Sequence, residues 1–319
     1  MKNLTGLQNT VITIGAYDGL HLGHLALLKT VVAASRSIQG KSVLLTFGDH
    51  PRQVIRGGEV GLISTPEQRA EILSQLKLDY LAIIDDENIF EYSAEKFIDL
   101  ILGRKLKARE VVVGFNFRFG RNRTGDAELL RSRGGLLGFK VKVMEPVRVA
   151  GETVSSSRIR ELLAKGKTEE AAACLGRLYE VRGTVVAGQG RGAGIGFPTA
   201  NLKPDIPLLI GEGIYAATVS APENPDVVKG FSKALASYGT NPTFKRLTEP
   251  VLEILIPGFE GNIYGMRLYL QLLRKIRPQK RFKDRSELVK AIKKDLTQLQ
   301  GSDSRLRRIC DIRPAGSIN

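Results

Sequence analysis

A change of texture near residue 155 constrains this chain more than any other feature. Before it, short β-branched runs alternate with stretches of helical spacing. "NTVITIGAY" is followed by "LALLKTVVAASRSI", "KSVLLTF" by "TPEQRAEILSQL" and "DYLAIID" by "SAEKFIDLILG", while "REVVVGF" and "GFKVKVMEPV" add two more strands. Thr65 as N-cap and Pro66 at the first helical position mark a sound helix start. Strands and helices in alternation predict an α/β domain, a parallel sheet with helices on both faces. Past residue 155, "SSSRIRELLAKGKTEEAAACLG" reads as a helical connection. The short runs "YEVRGTVVAG", "GIYAATVS", "KALASYGTN", "PVLEILIP" and "RLYLQLL" then follow without crossover helices, which predicts an antiparallel β-barrel. A terminal helix, "SELVKAIKKDLTQL", has Ser286 or Asp284 as cap and Leu288, Ile292, Leu296 and Leu299 on one side. The expected domains are 1–165 and 166–300, followed by a basic, flexible tail over 301–319.

Composition sets the class. With 319 residues, 42% apolar and 25% charged, the chain is that of a soluble globular protein with a core in each domain. No uninterrupted apolar run approaches the roughly 20 residues a membrane helix needs. The start "MKNLTGLQNT" shows no secretory signal, and Cys174 and Cys310 match no metal or redox spacing, so the expected compartment is the reducing cytoplasm. The net charge is +15, and residues 267–308 carry 14 Lys or Arg against 4 Asp or Glu. Without an aromatic-interleaved basic patch, a solvated helix face and anionic small substrates explain this better than nucleic acid. Weak self-association is left open.

Two of the three histidines stand in "GAYDGLHLGH". A strand, a glycine turn and then His21-x-x-His24 at a helix mouth form an anion site, because free N–H groups and the helix dipole attract phosphate there. Imidazoles one turn apart can both donate to phosphate oxygens. On that tetrad alone, a surface polar pair or a partial metal site fits as well. Later, "VSSSRIR" places Ser155, Ser156, Arg158 and Arg160 where hydroxyls at a helix start and guanidinium groups can clamp a second stretch of phosphate.

"GAYDGLHLGH" resembles the first signature of the cytidylyl/adenylyl-transferase superfamily, in the form found in bacterial FAD synthetases, and "VSSSRIR" resembles its second. The resemblance implies a Rossmann-like nucleotidyltransferase domain. It assigns ATP to Gly15, Asp18, His21, Gly23, His24, Ser155, Ser156, Arg158 and Arg160, with His21 and His24 catalytic. "TFGDHP" places His50 where the family shows "TFDPHP", and "TPEQRAEIL" places Arg69 at a basic position of the family. "VVVGFNFRFGRNRTGD" is similar to the family's flavin-pocket segment, so flavin contacts are expected from His50, Asn116, Phe117 and Phe119. Ala16 and Gly48 depart from the pattern, each lacking a polar side chain usual there.

"GQGRGAGIGFPTANL" forms a second constellation. A glycine-rich flap lets backbone N–H groups approach phosphates, and Thr199 and Asn201, two apart on an extended segment, project to one side with hard oxygen donors. "FPTAN" resembles the riboflavin kinase signature. That resemblance assigns ATP to Gly190, Gly192, Gly196, Thr199 and Asn201, Mg²⁺ to Thr199 and Asn201, and the general base to Glu253 in "PVLEILIP". "YGTNPTF" and "RPQKRFKDRSELVKAIKKD" continue the pattern, with Gln279 where Glu is common. The resemblance spans roughly residues 10–300. It implies a bifunctional enzyme that makes FMN from riboflavin and ATP, then FAD and pyrophosphate from FMN and ATP. The alternatives are a kinase with an impaired transferase module, and a basic RNA-binding or regulatory protein on a degenerate enzyme fold.

Overall fold

Thr10–Ile14 is buried along its whole length and forms β1, as a strand paired on both edges and covered on both faces must be. The computed structural model describes residues 7–48, 61–84, 87–188, 192–228, 230–240 and 250–300. The chain divides into two compact units, residues 1–60 with 64–155 and residues 61–63 with 156–319.

The first unit runs through α1 (Leu22–Ser37), β2 (Lys41–Phe47), α2 (Pro66–Ser74), β3 (Tyr80–Ile84) and α3 (Ala94–Phe97), which widens into a π-helix over Ile98–Lys105. Next come β4 (Ala108–Gly114), α4 (Ala127–Leu137), β5 (Lys140–Met144) and the small hairpin β6 (Arg148–Val149) and β7 (Glu152–Thr153). The five main strands lie in the order β3-β2-β1-β4-β5, all parallel. The order reverses between β1 and β4, and open parallel sheets bind ligands beyond the carboxyl ends of the strands at such a point. The loops leaving those ends carry "GAYDGLH" and "FNFRFGRNRTGD". Thr65 and Gln68 form the reciprocal cap that starts α2. The Leu106 amide donates to the carbonyl of Ile101 at 2.9 Å, five residues back, so the expected α-helix over 93–103 ends as a wider coil. The sequence pattern does not mark helix α4. Its Gly134-Gly135 pair weakens local propensity, yet a Cβ on Gly134 would lie 2.7 Å from the Phe139 ring, so close packing selects glycine there.

The second unit opens with α5 (Ser156–Ala164) and α6 (Thr168–Leu175), then β8 (Tyr179–Val186), β9 (Ala200–Pro204), β10 (Gly213–Ser220), β11 (Ser232–Gly239), β12 (Val251–Leu255), β13 (Arg267–Arg277) and α7 (Arg285–Gln300). The six strands close into an antiparallel barrel in the order β10-β11-β12-β9-β8-β13. Closure leaves no unpaired edge and fixes the register all the way round. Of the two expected caps of α7, Asp284 is engaged, accepting from the Glu287 amide at 2.9 Å. Ile292, Leu296 and Leu299 pack on a core cluster with Ala172, Ala216 and Leu235.

Asp79 ties the start of β3 to β2. Its Oδ2 accepts from the Ser42 amide at 2.9 Å and from the Ser42 hydroxyl, and its own amide donates back to Ser42 Oγ at 2.9 Å. Burial pushes the carboxyl up, but the Ser42 hydrogen bonds and the Lys41 ammonium outweigh it and hold the group below the ordinary carboxylate range. A depressed folded-state value contributes stability that is present at neutral pH and lost as pH falls through it. Asp79→Ala should therefore cost about 1 kcal/mol at neutral pH. In urea titrations the gap from the parent should close in strong acid; a gap independent of pH would contradict the assignment.

Candidate functional sites

In the first unit the loop after β1 folds tightly, with Tyr17, Gly19 and Leu20 all at positive φ (51°, 79° and 39°). Only the glycine adopts that conformation without strain. A Cβ on Gly15 would come within 3.0 Å of the Tyr17 ring, so glycine makes room for the aromatic side chain. The Tyr17 hydroxyl hydrogen-bonds Thr13 Oγ1 at 2.5 Å, and burial pushes its pKa well up, the Thr13 bond opposing in part. Asp18 is 2% exposed. Its Oδ1 accepts from the Ser64 amide at 3.3 Å and lies 3.7 Å from Arg69 Nη1, while the Gly19 amide donates to Ser64 Oγ at 3.0 Å. Burial lowers the Arg69 pKa and Asp18 works against that shift. Asp18 thus braces the loop against the segment before α2.

His21 is the N-cap of α1, and its Nδ1 accepts from the His24 amide at 3.3 Å. A ring nitrogen that accepts carries no proton, so the ring proton sits on Nε2, which becomes a donor. The two imidazoles stack at 3.7 Å with 14° between planes, and Tyr17 lies 4.7 Å from His24 on a tilted ring. A side chain at Gly23 would press on the His21 ring at 3.2 Å. The pair is a preset, oriented feature at a helix N-terminus.

The other expected residues fall as follows. Ser155 closes the first unit, whereas Ser156, Arg158 and Arg160 open the second on α5. Arg160 Nε donates to the Gly61 carbonyl at 2.8 Å. Asn116 is exposed. Phe119 is buried and packs between Phe117 and Phe97, with ring centroids 5.3 and 5.6 Å apart. His50 and Gly190 lie outside the described residues, as does the "NPTF" stretch.

In the second unit a cavity of about 900 Å³ is lined by Gly192, Thr199, Asn201, Ser237, Glu253 and Gln279 among others. Barrel register brings its polar groups together. Asn201 on β9 stands opposite Glu253 on β12, and Glu253 opposite Ser237 on β11, so all three project from one face in a row. Thr199, two residues before Asn201, lies at the mouth of β9. Glycines permit this. A Cβ on Gly188 would fall 1.7 Å from Asn201 Nδ2, and one on Gly192 would fall 2.3 Å from the Phe197 carbonyl oxygen. Gly196 turns the flap at φ 82°, and Arg285 at the start of α7 donates to the Gly194 carbonyl. Gly188 opens the quoted glycine-rich stretch, whereas Ser237 carries no mark in the sequence; its signal is the strand register, which a single sequence does not print.

Among the described residues no group of three or more His, Cys, Asp or Glu could hold a metal ion. The donors present, a hydroxyl, an amide oxygen and a nearby carboxylate, suit a hard divalent cation that takes its remaining ligands from phosphate and water. Arg277 and Asp295 form a part-buried ion pair at the same cavity, with Nε to Oδ1 at 3.0 Å and Nη2 to Oδ2 at 2.8 Å.

Comparison with known proteins shows what the chain is similar to. The family described as FAD synthetase matches residues 4–158, and that described as riboflavin kinase matches 175–302. A bifunctional riboflavin kinase/FMN adenylyltransferase of Listeria monocytogenes is 32% identical over 294 residues, 90% of each chain. Proteins of the same description from Buchnera aphidicola and Escherichia coli are 31% and 29% identical, over 91% and 92% of this chain and 92% and 96% of their own. A solved structure described as a macrolide-efflux protein from Streptococcus pneumoniae is 28% identical with a TM-score of 0.82, covering 94% of this chain and 96% of that one. No helix among the described residues is long and apolar enough to cross a membrane.

The Arg277–Asp295 pair yields a structural test. Asp295 is 3% exposed, so Arg277→Met would strand a buried carboxylate and should cost about 3–5 kcal/mol in urea unfolding. Adding Asp295→Leu should recover most of that loss. Equal stability of the single and double variants would show that the pair is not coupled.

Proposed function

The chain belongs to the family of bifunctional riboflavin kinase/FMN adenylyltransferases, and we propose how its own residues carry the two reactions. It phosphorylates riboflavin with ATP to FMN, and adenylylates FMN with a second ATP to FAD and pyrophosphate. The family matches cover both halves of the chain, so the kinase-only and RNA-binding alternatives fall away.

The observation that carries the kinase reading is the cross-strand pairing of Asn201 with Glu253 on the wall of the cavity. Glu253 accepts the proton of the terminal ribityl hydroxyl as its oxygen attacks the γ-phosphorus of ATP and ADP leaves. The amides of Gly192 and Gly196 approach the phosphates, and Gly190 is assigned to the same role from the sequence pattern alone. Thr199 and Asn201 hold Mg²⁺, which when bound neutralises phosphate charge. The cavity volume suits a flavin ring, and Phe197, Leu235 and Leu255 offer it apolar walls.

In the transferase a phosphate oxygen of FMN attacks the α-phosphorus of ATP and pyrophosphate departs, so no protein nucleophile is needed. Positioning and charge stabilisation carry the rate. His21 presents Nε2–H to the triphosphate at the start of α1, and His24, stacked on it, adds a second donor. Gly15 and Gly23 keep the loop close to the nucleotide, and Asp18 holds its shape. Ser155, Ser156, Arg158 and Arg160 bind phosphate, a role that rests on their sequence pattern. Asn116 and Phe117, with His50, contact flavin, and Phe119 supports Phe117 from the core. Both reactions proceed in the cytoplasm, and the positive charge of the chain serves the anionic ATP and FMN without nucleic acid.

Two substitutions separate the modules. Glu253→Gln should lower FMN formation by about 10²–10⁴-fold while FMN-to-FAD conversion continues. His24→Ala should lower FAD formation by about 10²-fold with riboflavin phosphorylation unchanged. Flavin chromatography reads both. Full FMN formation by the first variant removes Glu253 as base, and equal loss of both steps in the second contradicts separate sites.

A further inference from the structure

Ser64 stands at a crossing of three hydrogen bonds in the first unit. Its amide donates to Asp18 Oδ1 at 3.3 Å, its hydroxyl oxygen accepts from the Gly19 amide at 3.0 Å, and its carbonyl accepts from Arg69 Nη1 at 2.8 Å. The residue is 2% exposed, so water does not stand ready to replace a lost bond. Ser64 is itself held still. Thr65 beside it caps α2, with the Gln68 amide donating to Thr65 Oγ1 at 3.1 Å and the Thr65 amide to Gln68 Oε1 at 2.8 Å. A reciprocal cap of this kind fixes the start of the helix, and the Ser64 hydroxyl is presented from that rigid start.

What it meets is the turn after β1. Gly19 and Leu20 stand at φ 79° and 39°, and the next residue is His21, the N-cap of α1. Backbone in this region persists only where the surroundings over-determine it. The peptide whose N–H reaches Ser64 belongs to Gly19, two residues before His21, so its tilt sets where the first imidazole begins. Arg69 Nη1 lies 3.7 Å from Asp18 Oδ1, so the buried carboxylate in this node does not confront the proposed triphosphate as an unopposed negative charge. We infer that Ser64 is a positioning residue for the transferase: its hydroxyl holds the Gly19 peptide and so aims the His21–His24 pair at the nucleotide. The inference rests on the role proposed for the two histidines. The part Ser64 plays is geometric, a neutral hydrogen bond that transfers no proton, and its effect is on placement at the reacting phosphate.

The test follows FMN-to-FAD conversion by the full chain for Ser64→Ala, Ser64→Cys and Ser64→Thr, in the parent and in the His24→Ala background, with riboflavin phosphorylation and urea unfolding alongside. Ser64→Ala should lower kcat for adenylylation about tenfold with the KM for FMN unchanged, while riboflavin phosphorylation stays at the parental rate. Ser64→Cys keeps the volume with a poor acceptor and should match Ser64→Ala, so it carries the test if the alanine chain does not fold. Ser64→Thr keeps the hydroxyl and should stay within about twofold of the parent. In the His24→Ala background Ser64→Ala should cost less than about twofold more, because the two changes act through one stacked pair. A residue that only stabilises the fold would cost the same factor in both backgrounds. Parental kcat in folded Ser64→Ala or Ser64→Cys, a threonine chain as slow as the alanine one, or equal losses in the two backgrounds would overturn the inference. With His24→Ala impaired, any of those results removes Ser64 alone, whereas a His24→Ala chain at the parental rate would remove the histidine reading beneath it.

Discussion

The alignment of β9 with β12 decides what the second unit can do. Leu252 faces Leu202, Glu253 faces Asn201 and Ile254 faces Ala200. Side chains alternate between faces, so a slip of one residue would turn Glu253 away and put a leucine or isoleucine in its place. An open sheet could tolerate such a slip, but a closed barrel cannot, because every strand is held on both edges. The buried Leu252 and Ile254 on either side of Glu253 reinforce the register from the core. The chemical row Asn201, Glu253, Ser237 is thus a consequence of barrel closure, and the Gly188 gap exists to let its first member lie flat.

The first unit solves a similar problem by different means. Its proposed phosphate site is built on a loop at the reversal of strand order, and loops lack the register that strands impose. Compensation comes from packing and bracing. Tyr17 and Leu20 accept left-handed backbone geometry, Asp18 anchors the turn to Ser64, and His21 spends one nitrogen on capping the helix so that the other is aimed. The stacked imidazoles act as one rigid element, and the α1 N–H groups behind them add the helix dipole. The two anion sites proposed for this chain would thus differ in origin, one set by strand pairing and one by a helix start.

Much of this was legible in the residues. β2 coincides with "KSVLLTF", the Thr65-Pro66 start of α2 was readable from capping rules, and the loss of crossover helices after residue 155 foretold the barrel. Local chemistry carried those readings. Where long-range packing decides, the sequence was silent. Helix α4 survives its double glycine because Gly134 packs under Phe139, and the π-helix after Phe97 depends on its place against the sheet. The same holds for the sites. His21, Glu253, Thr199 and Asn201 stand in recognisable strings, whereas Ser64, Ser237 and the Arg277–Asp295 pair matter through partners between 16 and 46 positions away in the chain. No short window contains such a pairing.

The claim that ties these threads together is that the two proposed sites work independently, FMN passing from the kinase site to the transferase site through solution. Mixing the Glu253→Gln and His24→Ala chains with riboflavin, ATP and magnesium examines it directly. Neither chain alone should make appreciable FAD, but the mixture should, because FMN released by the second is adenylylated by the first. A mixture that accumulates FMN without FAD, from two folded proteins, would mean that the two sites cannot work apart.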